Sequence, residues 1–189
     1  MIKTFKSTDK TQFTEHFNVS EFRCKCGGTH DTKLDTALVE KLEQLFKALN
    51  CSKIIVNSGY RCSTHDKNVG GSGVGQHVNG TAADIVCYDK SGKKISSKVV
   101  CCAAQDVGFG GIANIDSTYT AAHVDVRSSL KWFGDETFTT AYSVCSDFYS
   151  HYKLSKSDVY GDSAPSSKRT KSVTLTIDGV TYEGTLTEK

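Results

Sequence analysis

Two short segments constrain this chain more than any other feature of its sequence: His77-Val-Asn-Gly-Thr-Ala-Ala-Asp84 and His123-Val-Asp-Val-Arg127. In the first, Asn79-Gly80 is the strongest short signal for a β-hairpin, because both central residues of a type I′ turn need a positive φ. A turn there makes Asp84 the diagonal neighbour of His77 on one face of the sheet, within side-chain reach. This segment is therefore predicted to be a hairpin that brings an imidazole and a carboxylate together.

The second segment has the alternation of a half-buried strand. Residues two apart along a strand share a face, so His123, Asp125 and Arg127 are predicted to lie on one side. Val124 and Val126 then face the core. The strand therefore adds a second imidazole to the polar groups of the first segment.

Together the segments predict a metal site with His77, Asp84 and His123 as its ligands. Two imidazoles and a carboxylate suit zinc, and they leave one coordination position open for water. An open position is typical of a catalytic zinc ion, whereas structural sites are closed by four protein ligands. One histidine alone would more often be an ordinary surface residue, so the prediction depends on the convergence of all three ligands.

Size and charge limit the classes of protein to be considered. The chain has 189 residues and a formal net charge of +2, which suits one main domain with a small appendage. Basic residues are scattered apart from a short patch at Lys168–Lys171, so no nucleic-acid partner is expected. The start of the chain lacks the apolar region of a signal peptide, and no apolar run reaches the length of a membrane span. We therefore expect synthesis in the cytoplasm and no membrane insertion.

The chain contains eight cysteines, many for a protein without an export signal. Reduced thiols are expected in that setting, several of them as small buried apolar residues. Cys24-x-Cys26 followed by His30 is a weak candidate for a structural metal site, because zinc sites usually contain Cys-x-x-Cys pairs. Thiols without a metal are therefore the favoured interpretation.

Hydrophobic spacing predicts the main elements. Apolar residues recur at helical spacing from Thr36 to Leu49, with Asp35 or Thr36 as N-cap and Asn50 as the stop. Further elements are predicted at Lys53–Asn57 (strand), Ala82–Cys87 (strand), Ser97–Val107 (helix) and Phe138–Tyr152 (helix). A polar, glycine-rich loop joins the first of these strands to His77.

Composition divides the C-terminal part from the rest. Residues 155–171 are rich in Ser, Lys and Asp and include the only proline, which predicts a linker between a main domain at 1–154 and a tail at 172–189. The tail alternates apolar residues around Asp178-Gly179, a second hairpin signal. A lone two-stranded hairpin is marginal in water, so its apolar face is expected to pack on the main domain, on another copy or on a target.

Three motifs in a fixed order give the chain a family resemblance: Ser58-Gly-Tyr-Arg61, His77-x-x-Gly-x-Ala-x-Asp84 and His123-x-Asp125. Any one of them would be weak evidence, but the three together are specific. They resemble the peptidase M15 family, zinc-dependent D-Ala-D-Ala carboxypeptidases and L-Ala-D-Glu endopeptidases that cut peptidoglycan stem peptides. The Phe22–Gly27 and Val69–Gly71 segments resemble the phage endolysin branch, and the resemblance extends from about residue 17 to residue 134.

The resemblance implies a fold and an activity. The fold implied is α+β, a small antiparallel sheet flanked by helices as in Hedgehog and DD-peptidase domains, here with a C-terminal β-hairpin appendage. The activity implied is hydrolysis of a stem peptide of bacterial peptidoglycan by one catalytic zinc ion. Cleavage as an L-Ala-D-Glu endopeptidase is favoured over D-Ala-D-Ala carboxypeptidase activity.

A different class of function stays open at this point. The fold is also compatible with a non-catalytic module that binds the cell wall and keeps zinc as a structural ion, or with a virion component that pierces the wall. In each case the protein is expected to act at the wall after release from the cytoplasm, or from the virion, as a monomer or small oligomer. Cleavage of defined wall fragments distinguishes the enzyme from the binding module.

Candidate catalytic residues follow from the motifs. The resemblance implies that Arg61 faces the substrate, and a guanidinium suits both a carboxylate and a developing oxyanion. Asp125 is the first candidate for the general base, and its alternative role is to orient a histidine ligand. Some relatives carry the base two or three residues before the last histidine, where this chain has Ala121 and Thr120. Asp116 is the second candidate, because a loop could fold it back to the site.

The remaining candidates concern the walls of the site. The family usually has Ser two residues before the first histidine, and here that position is Gly75. Gln76 is a candidate to supply the hydrogen bond that this serine would make beside the histidine ligand. The replacement concerns the geometry of the loop and leaves the predicted metal ligands unchanged. Tyr60, Gln76 and Arg127 are candidate substrate contacts, and Trp132 is expected to be a packing residue.

Overall fold

A mixed five-stranded sheet is the centre of the fold in the computed structural model, which describes residues 1–129, 131–137, 143–161, 170–177 and 180–187. Its strands are Lys53–Ser58 (β3), Ala82–Tyr88 (β4), Gly111–Asn114 (β5), Ala122–Asp125 (β6) and Trp132–Asp135 (β7). Their order is β3-β4-β6-β5-β7, and every neighbouring pair is antiparallel except β5 and β7, which are parallel. A separate antiparallel pair joins Ile2–Phe5 (β1) to Thr32–Asp35 (β2).

Helices of very different lengths surround this sheet. Two are long, Thr36–Ala48 (α1) and Ser97–Val107 (α4), and both were predicted from apolar spacing. The short ones are Ser63–Asn68 (α2), Gln76–Asn79 (α3), Phe148–Tyr152 (α5) and Lys156–Tyr160 (α6), with a 3-10 turn at Val19–Phe22. The α+β class with helices flanking a small sheet is thus confirmed. Among the described residues, no helix has the length and apolar character needed to cross a membrane.

The core lies between the sheet and the two long helices. Helix α1 begins at its predicted cap, since the Asp35 carboxylate accepts the backbone N–H of Ala37 at 2.9 Å. Its apolar stripe is fully buried and includes Leu38, Leu42 and Leu45. Each such side chain contributes roughly 1.5–3 kcal/mol by leaving water, so α1 is a structural helix. Four cysteines belong to this core, as expected for small apolar residues: Cys51, Cys87, Cys101 and Cys102.

The C-terminal region differs from its prediction in two places. The last helix begins only at Phe148, and residues 143–147 are not helical, while residues 138–142 lie outside the described part. Helix α6 lies inside the predicted linker, yet Val159 is buried in the core and the Tyr160 hydroxyl donates to Asp106 at 2.7 Å. The first residues of that segment therefore belong to the folded domain.

The predicted hairpin of the tail is present. Thr170–Ile177 (β8) pairs antiparallel with Val180–Thr187 (β9), and Ile177 is opposite Val180. This register needs a two-residue connection at 178–179, which is the predicted position of the turn and lies outside the described residues.

Candidate metal centre

The first predicted ligand, His77, lies on a helix rather than in a hairpin. Helix α3 ends at Gly80, whose φ of 76° is left-handed, and the Gly80 N–H bonds to the carbonyls of Gln76 and His77. Asn79 is helical, so the type I′ turn with two positive φ values does not form. The hairpin prediction was wrong here, because Asn-Gly also suits a helix that ends in a left-handed glycine.

The other two predicted ligands face each other across the sheet. Asp84 on β4 is directly opposite His123 on β6. Opposite residues of an antiparallel pair have Cβ atoms about 4.5–5.5 Å apart, so both side chains meet on one face. Val124 is fully buried on the other face, as the alternation predicted.

Three ligand atoms form a nearly equilateral triangle. His77 Nε2 lies 3.2 Å from Asp84 Oδ1 and 3.2 Å from His123 Nδ1. His123 Nδ1 lies 3.0 Å from the same Asp84 oxygen. The structure therefore brings together the three residues that sequence reasoning chose as ligands.

The outer nitrogens of both rings have partners that orient the inner nitrogens. His77 Nδ1–H donates to the carbonyl oxygen of Gly59 at 2.7 Å, and a carbonyl can only accept. His123 Nε2 lies 3.2 Å from Asp125 Oδ2, where its N–H donates to the carboxylate. In the neutral rings this leaves lone pairs on His77 Nε2 and His123 Nδ1, pointing at each other and at Asp84. Two facing lone pairs beside a carboxylate fit a divalent cation, and outer partners of this kind are typical of histidines that bind zinc.

The pKa shifts of Asp84 and His123 also indicate a site that attracts positive charge. Burial alone would raise the pKa of Asp84, but hydrogen bonds with His123 and His77 hold it well below its usual range. Burial alone would lower the pKa of His123, but the hydrogen bonds that its ring donates to Asp125 and Asp84 raise it to about 9. The site therefore strongly attracts positive charge, whether a proton or a metal ion.

Arg61 lies behind the carboxylate ligand. Its Nη2 donates to Asp84 Oδ2 at 2.5 Å, and its other donors reach Ser58 Oγ at 2.7 Å and Asp66 Oδ1 at 3.3 Å. These contacts leave Asp84 Oδ1 free to face the histidines. Arg61 also lines the cavity above the site, but its described contacts make it a positioning residue for Asp84.

Asp125 occupies the position of a histidine orienter. Its carboxylate is fully buried and accepts two hydrogen bonds from Arg127 Nε and one at 2.5 Å from Nη2. With His123 as a further partner, its oxygens are engaged on the side away from the triangle. This geometry favours the alternative role that sequence reasoning gave to Asp125. Asp116 is also engaged, because it accepts hydrogen bonds from Thr118, Thr120 and Ala121 in its own loop.

A carboxylate that sequence reasoning did not select faces the centre. A cavity of about 340 Å³ opens above the triangle, and Glu136 lines it together with the ligands. Burial, and next the charge of Asp84, raises the pKa of Glu136 above its usual value. Within the described residues its carboxylate has no hydrogen-bond partner, unlike those of Asp116 and Asp125. Nothing in the sequence singled it out, because Glu136 follows Asp135 and lies outside the three family motifs.

Of the three predicted substrate contacts, only Gln76 is among the described residues that line the cavity. Trp132, which was expected to be a packing residue, also lines it, and its ring meets the His123 ring edge-on at 6.1 Å. Tyr60 and Arg127 are not among the described lining residues, since Arg127 stacks over Trp132 while it binds Asp125. Gly75 leaves α3 without a side-chain cap, and Gln76 bonds to Thr81 instead of filling that role.

Comparison with known proteins agrees with this geometry. The family model described as Peptidase M15 matches residues 15–124, more than half of the chain and the whole triangle. No curated protein matches the chain. The peptidases of the matched family depend on zinc, and the donor set of the triangle suits that ion. From its sequence match and its site, the chain belongs to the peptidase M15 family.

Proposed function

We propose that this protein is a zinc-dependent peptidase that hydrolyses the stem peptide of bacterial peptidoglycan. The observation that carries the proposal is the convergence of His77, Asp84 and His123 at the floor of an open cavity in a member of a peptidase family. We further propose that it acts at the cell wall, after release from the cytoplasm or as part of a virion. The motifs that resemble phage endolysins support that setting.

The residues around the cavity have distinct roles in this proposal. A zinc ion held by the triangle would lower the pKa of a water molecule and polarise the scissile carbonyl. Glu136 accepts a proton from the attacking water and returns it to the leaving amine. Gly59 and Asp125 keep the two imidazoles in the ligand tautomer, and Arg61 orients Asp84.

The cavity favours an endopeptidase over a carboxypeptidase. A carboxypeptidase needs a free cation to hold the terminal carboxylate of its substrate. Among the described lining residues, Arg61 is the only lysine or arginine, and its charge is already paired with Asp84 and Asp66, while its Nε donates to Ser58. We therefore propose cleavage within the stem peptide, at the L-Ala-D-Glu bond.

The test is hydrolysis of defined muropeptides followed by mass spectrometry of the fragments. We expect cleavage that stops when zinc is chelated and returns when zinc is restored, and the fragment masses identify the bond. His123→Ala should lose both zinc and cleavage, whereas Cys145→Ser, outside the site, should keep both. Wall binding with bound zinc but no fragments, across several wall types, would instead support the non-catalytic module. Removal of only the terminal D-Ala would overturn the endopeptidase assignment.

A further inference from the structure

A second set of metal-binding side chains lies outside the catalytic triangle. The sulfur atoms of Cys24, Cys26 and Cys62 are all within 4.8 Å of one another. Cys62 comes from a distant part of the chain, so its membership of the group could not be predicted from sequence spacing. Cys24 is only 7% exposed, while Cys26 is exposed, so the cluster is closed on the protein side and open to solvent on the other.

Each sulfur atom accepts a backbone N–H group. Cys62 N–H points to Cys24 Sγ at 3.3 Å, His65 N–H to Cys62 Sγ at 3.4 Å, and Gly28 N–H to Cys26 Sγ at 3.4 Å. Hydrogen bonds to the charged form of a group favour that form. Each of the three converging sulfurs therefore has a backbone donor that stabilises its thiolate, the form that binds metal ions.

A candidate fourth ligand, His30, lies beside Cys26 and outside the group of three sulfurs. A Cβ atom added to Gly28 would lie 2.7 Å from His30 Nε2 and 3.4 Å from Cys26 Sγ. The imidazole and the thiol therefore flank the space that this glycine leaves empty. His30 is exposed, so its ring can turn toward the sulfurs without disturbing the core.

We propose that Cys24, Cys26 and Cys62 bind a structural zinc ion, with His30 as the fourth ligand. Three thiolates and one imidazole form a closed tetrahedral set of the kind found in structural zinc sites. The short Cys-x-Cys spacing argued against such a site in the sequence, but that argument assumed a second pair nearby. The fold supplies the third cysteine from the loop after β3.

The position of this ion connects it to the catalytic centre. The cluster joins the segment after the 3-10 turn to the loop that carries Gly59 and Arg61. The two backbones already touch there: Tyr60 N–H donates to Phe22 O at 2.8 Å, and a Cβ on Gly59 would lie 2.7 Å from Phe22 Cα. Because Gly59 orients His77 and Arg61 orients Asp84, a zinc ion in the cluster would hold both orienting groups in place.

Metal content of the purified full chain tests the proposal. By elemental analysis under reducing conditions we expect two zinc ions per chain in the wild type and one in His77→Ala. Cys26→Ser should also bind one, and the double variant none. Cys145→Ser is the matched control, a partly buried cysteine outside the cluster that should leave two ions bound. His77→Ala removes the catalytic ion only, so the second site is measured independently of peptidase activity.

Cobalt identifies the ligands of the remaining ion. Cobalt-loaded His77→Ala should show a thiolate-to-cobalt charge-transfer band, which Cys26→Ser should lack, and His30→Ala should show a weakened or shifted band. The proposal is overturned if His77→Ala holds no metal, or if its cobalt spectrum lacks thiolate bands. It is equally overturned if intact mass shows a disulfide within the cluster of freshly purified, unreduced protein. Circular dichroism of Cys26→Ser confirms that loss of metal is not loss of fold, and the wild-type cobalt spectrum is informative even if that variant unfolds.

Discussion

Single carboxylates around the triangle differ in what their oxygens contact, and this difference assigns their roles. Asp125 is buried against Arg127 and His123, and Asp116 is held by its own loop. Glu136 faces the cavity without a hydrogen-bond partner among the described residues. A proton acceptor must reach the attacking water, so the geometry supports Glu136 as the base.

Replacing Glu136 by Gln should remove the proton acceptor without changing its size. We expect the rate of muropeptide cleavage to fall on the order of 10²–10⁴-fold with zinc content unchanged. Asp116→Asn is the matched control and should cleave at close to the wild-type rate. The opposite pattern, with loss only in Asp116→Asn, would return the role to that residue.

The pH profile provides a second test of Glu136. In the metal-free site, burial and the charge of Asp84 raise the pKa of this carboxyl, and a base works only when deprotonated. Cleavage should therefore rise with pH as Glu136 loses its proton, and a zinc ion bound to Asp84 lowers the pKa from its metal-free value because it offsets that charge. Measured at saturating zinc, that rise should be absent from the residual activity of Glu136→Gln.

Asp125→Asn should act on the metal rather than on proton transfer. Loss of a charged partner behind a zinc-bound histidine typically weakens metal binding by about 10–100-fold. We expect that loss in a zinc competition titration, with turnover largely recovered at high zinc. Full zinc affinity combined with lost turnover would show instead that Asp125 is the base.

At the scale of elements, the long helices have the apolar spacing of amphipathic helices, whereas the short helix α3 depends on its neighbours. Helix α3 has no capping side chain and ends where Gly80 touches β2: a Cβ there would lie 2.4 Å from the carbonyl oxygen of Lys33. Gly80 O also accepts the N–H of Asp35. A single glycine thus holds the helix of His77 against the neighbouring strand.

Gly80→Ala should destabilise the protein more than a glycine change without a close neighbour. Gly92 is the matched control, since its φ of 79° is almost the same but no atom of the described residues lies within 4 Å of an added Cβ. Both variants lose left-handed backbone freedom, which costs about 1 kcal/mol, and only Gly80→Ala adds a backbone clash. Urea unfolding should show a clearly larger loss of unfolding free energy for Gly80→Ala. Equal losses would show that the contact with β2 is unimportant.

At the scale of the whole molecule, the folded domain extends beyond residue 154, after which the linker was predicted to begin, and includes α6. Val159 is buried, and Tyr149, Lys156 and Tyr160 all bind Asp106 on α4. The domain boundaries proposed from composition therefore need to move past this helix. The role of the β8–β9 hairpin stays a prediction, as wall anchor, oligomer contact or packed appendage.

Two truncations separate these elements. A chain of residues 1–161 should keep its unfolding temperature and cleave soluble muropeptides at the full rate, because α6 and its contacts remain. A chain of residues 1–155 should unfold at a lower temperature, since it lacks Val159 and the ion pair with Asp106. If the 1–161 chain also loses stability or solubility relative to the full chain, the hairpin packs on the main domain. Sedimentation with purified cell walls then shows whether the 1–161 form has lost wall binding.

Local chemistry made a large part of this protein predictable. Helical spacing, capping and strand alternation are short-range properties, and the sequence patterns correctly placed α1, α4 and the strands that carry Asp84 and His123. The three ligands were also predictable, because histidine and aspartate in family order carry their own chemical signal. One prediction from local sequence was wrong, because Asn79-Gly80 suits both a hairpin turn and the end of a helix. The helix end is the form in which Gly80 contacts Lys33 and Asp35 of β2.

Groups that meet only through the fold could not be predicted in this way. Glu136 reaches the cavity because β7 pairs parallel with β5, and Cys62 joins Cys24 and Cys26 because the loop after β3 packs on the 3-10 turn. The role of Asp125 likewise depended on which side of its carboxylate Arg127 occupies. By itself the sequence determined the elements and the ligand set, since both follow from neighbours along the chain. The tertiary structure decided which carboxylate faces the substrate and which thiols converge, because those depend on contacts between distant segments.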